Sequence, residues 1–211
     1  MLGANDGILS TAGLVLGVAA ADAAVSVIAT AGLAGLVAGA ASMAAGEYVS
    51  VSSQRDAENA DLALERRELA ADPEGELAEL AAIHETRGLT PALALRVAEE
   101  LSAGDQLAAH ARDELRIEEG RMARPLQAAW SSAAAFSLGA AVPLVAVLAV
   151  PGVARIPATV AVTLITLAGL GAAGARLGGA PSRPGAVRVV TWGALAMALT
   201  SLIGYLVGAS I

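Results

Sequence analysis

The sequence contains no cysteine, no lysine and only five aromatic residues in 211. Without cysteine there is no disulfide framework, cysteine zinc site, iron–sulfur cluster or thiol nucleophile, and the redox compartment stays open. Any metal must be held by oxygen, imidazole or thioether. Without lysine, arginine carries all the positive charge, 13 residues against 20 Asp and Glu, for a net of −7. That balance argues against nucleic acid, whose phosphates need a concentrated basic patch, and suits cations. No nucleophile–base constellation, phosphate loop or cofactor fingerprint is visible, so an enzyme is not expected and no prosthetic group is implied. Charge itself is scarce at 16%, while hydrophobic residues reach 56% and mean hydropathy is +0.65. A polytopic membrane protein is the class those figures favour.

The charges are unevenly placed. From Leu2 to Val51 only Asp6, Asp22 and Glu47 are ionisable, which leaves room for two spans of about 20 residues with a turn at Asp22. From Leu126 to Ile211 only Arg155, Arg176, Arg183 and Arg188 are charged, and they sit with Pro151, Pro157, Pro181 and Pro184 between three further apolar runs, roughly 127–150, 156–177 and 187–209. Segment 52–125 carries 9 Arg and 17 acids, a net of −8, against +1 for the rest. The expected fold is therefore all-α: spans one and two in 1–51, a polar helical module in 52–125, and spans three to five in 126–211. Placing 52–125 in the cytoplasm puts the 176–188 loop there too, and together they hold 12 of the 13 arginines. The N-terminus is then inside and the C-terminus outside. A cleaved signal peptide is not expected, because the apolar stretch begins at Leu2 with no basic region before it. GxxxG steps at Gly13/Gly17, Gly35/Gly39, Gly174/Gly178 and Gly204/Gly208 favour close helix packing in a bundle or a dimer.

Within the polar module, residues 52–71 lack Pro and Gly and continue the second span as one helix. Asp72-Pro73 opens a new helix running to Arg87 before Gly88, Thr90-Pro91 opens another to about Ala103, and Gly104-Asp105 a last one to about Glu118. Glu65 and Glu68 lie three apart, as do Glu76 and Glu79, and adjacent antiparallel helices can bring both pairs together with Glu114. Converging carboxylates repel unless a cation neutralises them, so such a cluster binds divalent metal and releases protons. The alternative is a solvated helix surface, its acids paired with Arg66, Arg67 and Arg87. His84 and His110 are the only imidazoles, either ligands or solvated side chains. In the apolar segments Asp6 and Glu47 stand out, because an ionisable group in a span is expensive. Met43, one turn before Glu47, adds a thioether suited to a borderline cation such as Fe²⁺. Alternatively, Asp6 lies at the interface and Glu47 caps a span.

The stretch Gly3-Ala-Asn-Asp-Gly-Ile-Leu-Ser-Thr-Ala-Gly-Leu-Val-Leu-Gly-Val18, with Ala38-Gly-Ala-Ala-Ser-Met-Ala-Ala-Gly-Glu-Tyr-Val-Ser-Val51, resembles the paired signature of the vacuolar iron transporter family, which includes plant, yeast and bacterial members. The likeness continues through Ser53-Gln54-Arg55-Asp56 and Ala133-Ala134-Ala135-Phe136-Ser137-Leu138-Gly139. The resemblance is to a bacterial member. It implies a five-span homodimer in the cell membrane, with a cytoplasmic metal-binding domain, that exports Fe²⁺, and often Mn²⁺, from the cytoplasm in exchange for protons. It also implies metal ligands at Glu65, Glu68, Glu76, Glu79 and Glu114, and a transport pathway through Asp6, Met43 and Glu47. Two departures stand out. Plant members carry a Met pair where this sequence has His110-Ala111, which makes His110 a candidate substitute ligand, and the stretch that usually precedes Asn-Asp-Gly is missing. A second function, from another class, is a non-transporting membrane sensor or buffer of divalent cations.

Overall fold

The computed structural model describes residues 2–117 and 123–210. Among them there are eight α-helices and no strand. They are α1 (Leu2–Ala20), α2 (Val25–Ala71), α3 (Pro73–Thr86), α4 (Pro91–Ser102), α5 (Gln106–Asp113), α6 (Pro125–Ala149), α7 (Arg155–Leu177) and α8 (Ser182–Gly208), with a short 3₁₀ turn at Gly152–Ala154. Four of these, α2, α6, α7 with its preceding turn, and α8, are long and apolar enough to cross a membrane. Helix α1, with Asn5 and Asp6 among its 19 residues, is not among those four.

The helix boundaries follow local chemistry. Asp22 takes φ 58 between α1 and α2, a left-handed conformation that Asp tolerates better than most side chains. Nothing interrupts α2 after Gly46, so it runs 47 residues and stops where Asp72 caps α3. Asp72 Oδ1 accepts the Gly75 N–H at 3.0 Å, and Pro73 fills the position where a missing N–H is harmless. At the other end of α3, Gly88 at φ +97 lets its own N–H reach the Glu85 carbonyl (2.9 Å) and that of Leu89 reach the His84 carbonyl (3.4 Å). Asp105 caps α5 through the Ala108 N–H at 3.0 Å. Thr90 makes no side-chain cap, so Pro91 alone marks the start of α4. Helix α5 ends at Asp113, earlier than the sequence suggests, because Arg116 turns left-handed (φ 59); the expected end at Glu118 lies outside the described residues.

The chain divides into two compact units, Met1–Glu47 with Leu126–Ile211, and Tyr48–Pro125, and α2 contributes to both. In the first, α1 packs against α7 and α8 and buries Ile8, Ala12, Val15 and Leu16 completely. Small residues set these distances. A Cβ on Gly7 would run into the Phe136 carbonyl of α6, one on Gly139 into Ala4, and one on Gly204 into the Gly17 carbonyl. Gly17 and Gly204 thus face each other within one chain, with Gly13 against Thr200 and Gly208 against Ala21, where lipid gives helices no hydrophobic reason to associate and close backbone packing must do it. The apolar surface turned outward is extensive, including Val37, Trp130, Leu138, Ile165, Trp192 and Leu199. That is the surface of a helix bundle solvated by lipid.

The second unit has a small core of Leu80, Ala81, Ala98 and Ala109, flanked by Leu77 and Leu101, where α3 packs on α4 and both meet α5. Alanine at three of these four buried positions lets the short helices approach closely. That closeness brings polar side chains of α3 and α5 together, where they meet one from α2.

Candidate metal centre

Glu65 of α2, Glu76 of α3, His110 of α5 and Glu114 just after α5 each direct one ligand atom into a group whose members all lie within 4.8 Å of one another. The His110 ring nitrogen Nδ1 is 2.9 Å from Glu65 Oε1, 3.3 Å from Glu114 Oε2 and 3.6 Å from Glu76 Oε2. Helical spacing places His110 and Glu114 on one face, one turn apart. The His110 and Glu65 side chains are 0% and 2% exposed, those of Glu76 and Glu114 14% and 29%, so the group has a sealed floor and a more open rim.

Three carboxylates this close, one of them sealed from water, are costly as they stand. Burial and then the charge of Glu114 push the Glu65 carboxyl above its ordinary range, and burial and then Glu79 do the same to Glu76. His110 offsets part of this in both cases. Yet Glu65 Oε1 accepts no aligned hydrogen bond despite its short distance to Nδ1, and His110 Nε2 also lacks a partner among the described residues. A buried carboxylate oxygen left open in this way costs free energy that a bound cation would return. Arginine does not supply that charge. Arg87 and Arg112 both bind Asp113, with shortest contacts of 2.6 Å, and among the described residues no arginine pairs with the four. Burial alone would raise the Asp113 carboxyl, but these two guanidiniums outweigh it and hold it below its usual value. Oxygen and imidazole donors without sulfur fit a hard-to-borderline divalent ion.

Of the residues singled out in the sequence, Glu65, Glu76, Glu114 and His110 are brought together. Glu68 and Glu79 are exposed and outside the group, though close enough for their charge to act on it. His84 is buried, with Nε2 unpartnered, but does not join it. The Arg87–Asp113 bridge, which ties the end of α3 to the end of α5, had no sequence signal beyond the general capacity of Arg87 to pair with an acid. In the other unit, Asp6 lies exposed on α1, beside Asn5 whose Oδ1 is buried without a partner, and its carbonyl accepts the Ser10 hydroxyl at 2.7 Å. On α2, Met43 is half-buried and Glu47 exposed.

The sequence profile of the VIT family matches residues 1–205. The chain belongs to the VIT family. A protein of Acanthamoeba castellanii named vacuolar iron transporter is 47% identical over 207 residues, covering 98% of this chain and 76% of the relative. Vacuolar iron transporter homolog 1 of Arabidopsis thaliana is 38% identical over 209 residues, 99% of this chain and 81% of the relative. The VIT-like transporter 1b of Glycine max is 34% identical across the whole chain and 75% of its own length. These relatives carry the names of transporters, and membership in the VIT family places this chain among transporters rather than enzymes.

Proposed function

We propose that this VIT-family protein transports Fe²⁺, and also Mn²⁺, out of the cytoplasm in exchange for protons, across the cell membrane. The observation that carries the reading is the buried, under-neutralised carboxylate cluster of Glu65, Glu76 and Glu114 in a chain whose relatives are named iron transporters. In this reading α1 joins the four long apolar helices as a fifth span. The 52–125 domain is cytoplasmic and collects the ion, with Glu68 and Glu79 adding negative charge at its rim. The ion then passes to Met43, Glu47 and Asp6. Both carboxylates are exposed on an otherwise apolar unit, where contact with lipid is expensive, so a second copy of the chain covers them and completes the pathway as a homodimer. Protons arriving from the far side compete for the same oxygens, which couples the two movements.

The test is flux. In inside-out vesicles or proteoliposomes, Fe²⁺ or Mn²⁺ uptake should be accompanied by opposite proton movement, and Glu47→Gln should abolish it. Undiminished transport in that variant would remove Glu47 from the pathway. Metal binding without any flux in the wild type would favour the sensor or buffer instead.

A further inference from the structure

Two charged side chains of the apolar unit, Asp22 and Arg155, have no part in the metal reading. Helices α1 and α6 run side by side in one direction, with Gly3 beside Ser132 and Ala135, Gly7 beside Phe136 and Ala140, and Val15 beside Leu144 and Val147. The α1–α2 and α6–α7 turns therefore lie at the same end of the bundle, away from residues 47 and 126 where the insert joins it. A cavity of about 350 Å³ opens between the two turns, with Ala19, Asp22 and Ala23 on one wall and Gly152, Arg155 and Ile156 on the other. That volume falls within the roughly 300–1,000 Å³ of small-molecule sites. Asp22 is held in its turn at φ 58, with its N–H on the Ala19 carbonyl at 3.2 Å. Arg155 is half-buried, and its Nε donates to the Val150 carbonyl at 3.2 Å, which anchors the guanidinium and leaves its two terminal nitrogens for other acceptors. Among the described residues neither side chain has an ion-pair partner, and the two do not pair with each other.

The walls thus carry one negative and one positive charge, separate and unneutralised. A lone divalent cation would be repelled by Arg155, and a lone phosphate by Asp22. A zwitterion answers both. The guanidinium fork matches phosphate, and the N-terminus of α7, where Arg155 sits, adds the positive end of a helix dipole. A carboxylate accepts well from a primary ammonium with its three N–H donors. No aromatic side chain lines the cavity, so the usual means of holding a quaternary ammonium is missing. Beside the two turns Val25, Val27 and Ile156 are exposed, which sets apolar surface next to the charged pair. We infer that this cavity is a binding site for the headgroup of an aminophospholipid, with its phosphate on Arg155, its primary ammonium on Asp22 and its acyl chains along the apolar surface that begins at those three residues.

Full-length protein, delipidated in detergent, is titrated with phosphatidylethanolamine, phosphatidylcholine and phosphatidylglycerol, and bound lipid is counted by native mass spectrometry. One phosphatidylethanolamine per chain should bind about tenfold tighter than either of the others, the difference that one charge-assisted hydrogen bond makes. Asp22→Asn should erase the preference over phosphatidylcholine; Asn accepts the left-handed turn as readily as Asp, so the fold is kept. Arg155→Gln should weaken both lipids alike, and if it does not fold, Asp22→Asn decides alone. Free phosphoethanolamine at the same concentration should leave the lipid bound. Its displacement of the lipid would make the cavity a site for a soluble zwitterion and overturn the lipid assignment. Equal affinity for the three lipids, no lipid retained, or an unchanged preference in Asp22→Asn would overturn the site itself.

Discussion

At the scale of single residues, Glu65 bears the tension in this protein. It is buried among like charges with an open oxygen, so its carboxylate is a cost to the metal-free insert and, in the proposed reading, a ligand of the ion. Opposite effects follow from removing that charge. Glu65→Gln should raise the melting temperature of the metal-free protein and shrink the stabilisation gained on adding Mn²⁺, which scales with the logarithm of ligand over dissociation constant. Thermal unfolding with and without Mn²⁺ checks both; a fall in metal-free stability would mean that Glu65 is a structural partner of His110. The pH dependence has a definite sign. Glu65 and Glu76 are raised above their ordinary value of 4.5, so above that pH the folded state holds more protons than the unfolded one. Their contribution to metal-free stability is therefore full below that value and declines as pH rises through the folded values. Asp113, lowered from 3.8, behaves oppositely, stabilising above that value and losing the contribution as pH falls through its folded value. Melting temperature without metal should fall from about pH 5 upward, and saturating Mn²⁺ should flatten or reverse the slope. Sequence spacing put the acids on shared helix faces but not at a depth, which is why it could not separate Glu65 and Glu76 from Glu68 and Glu79. Burial of His110 depends on the packing of several helices, including α2 through Glu65, which helical spacing alone does not reveal.

At the scale of elements, punctuation was the most legible feature. Asp72-Pro73, Gly88, Pro91 and Asp105 mark helix ends through local hydrogen bonds and fixed torsions, and these need no tertiary context. The end of α5 was not legible, because it depends on a left-handed Arg116 that no propensity favours. Equally, GxxxG spacing did not say which helices meet. The structure answers by opposing Gly17 to Gly204, backbone to backbone, whereas Gly169 on α7 has open space beside it. Gly204→Val should therefore force α1 and α8 apart and abolish the folded, detergent-stable protein, while Gly169→Ala should be tolerated and gain up to about 1 kcal/mol of helix propensity. Size-exclusion profiles of the two variants in detergent read the difference. Equal tolerance would mean that α1 and α8 do not pack through these glycines.

At the scale of the whole molecule, the arrangement of arginine argues for one orientation, and the absence of cysteine makes that argument testable with single introduced thiols. Helix α7 has 23 residues, about 35 Å at 1.5 Å per residue, enough for a hydrocarbon core of about 30 Å. Its ends differ in charge. The α6–α7 turn and its flanks hold Arg155 alone, whereas the α7–α8 loop and its flanks hold Arg176, Arg183 and Arg188. The tendency of positive charge to stay on the cytoplasmic side predicts the α7–α8 loop inside and the α6–α7 turn outside. Val153 and Ala180 are exposed in these two loops and offer sites that disturb no packing. In intact cells a membrane-impermeant maleimide should label Val153→Cys and spare Ala180→Cys, and in inside-out vesicles the pattern should invert. Labelling of both from the same side would remove α7 as a span. The reverse pattern would place the Arg-rich loop outside, and would contradict export from the cytoplasm as the direction of transport.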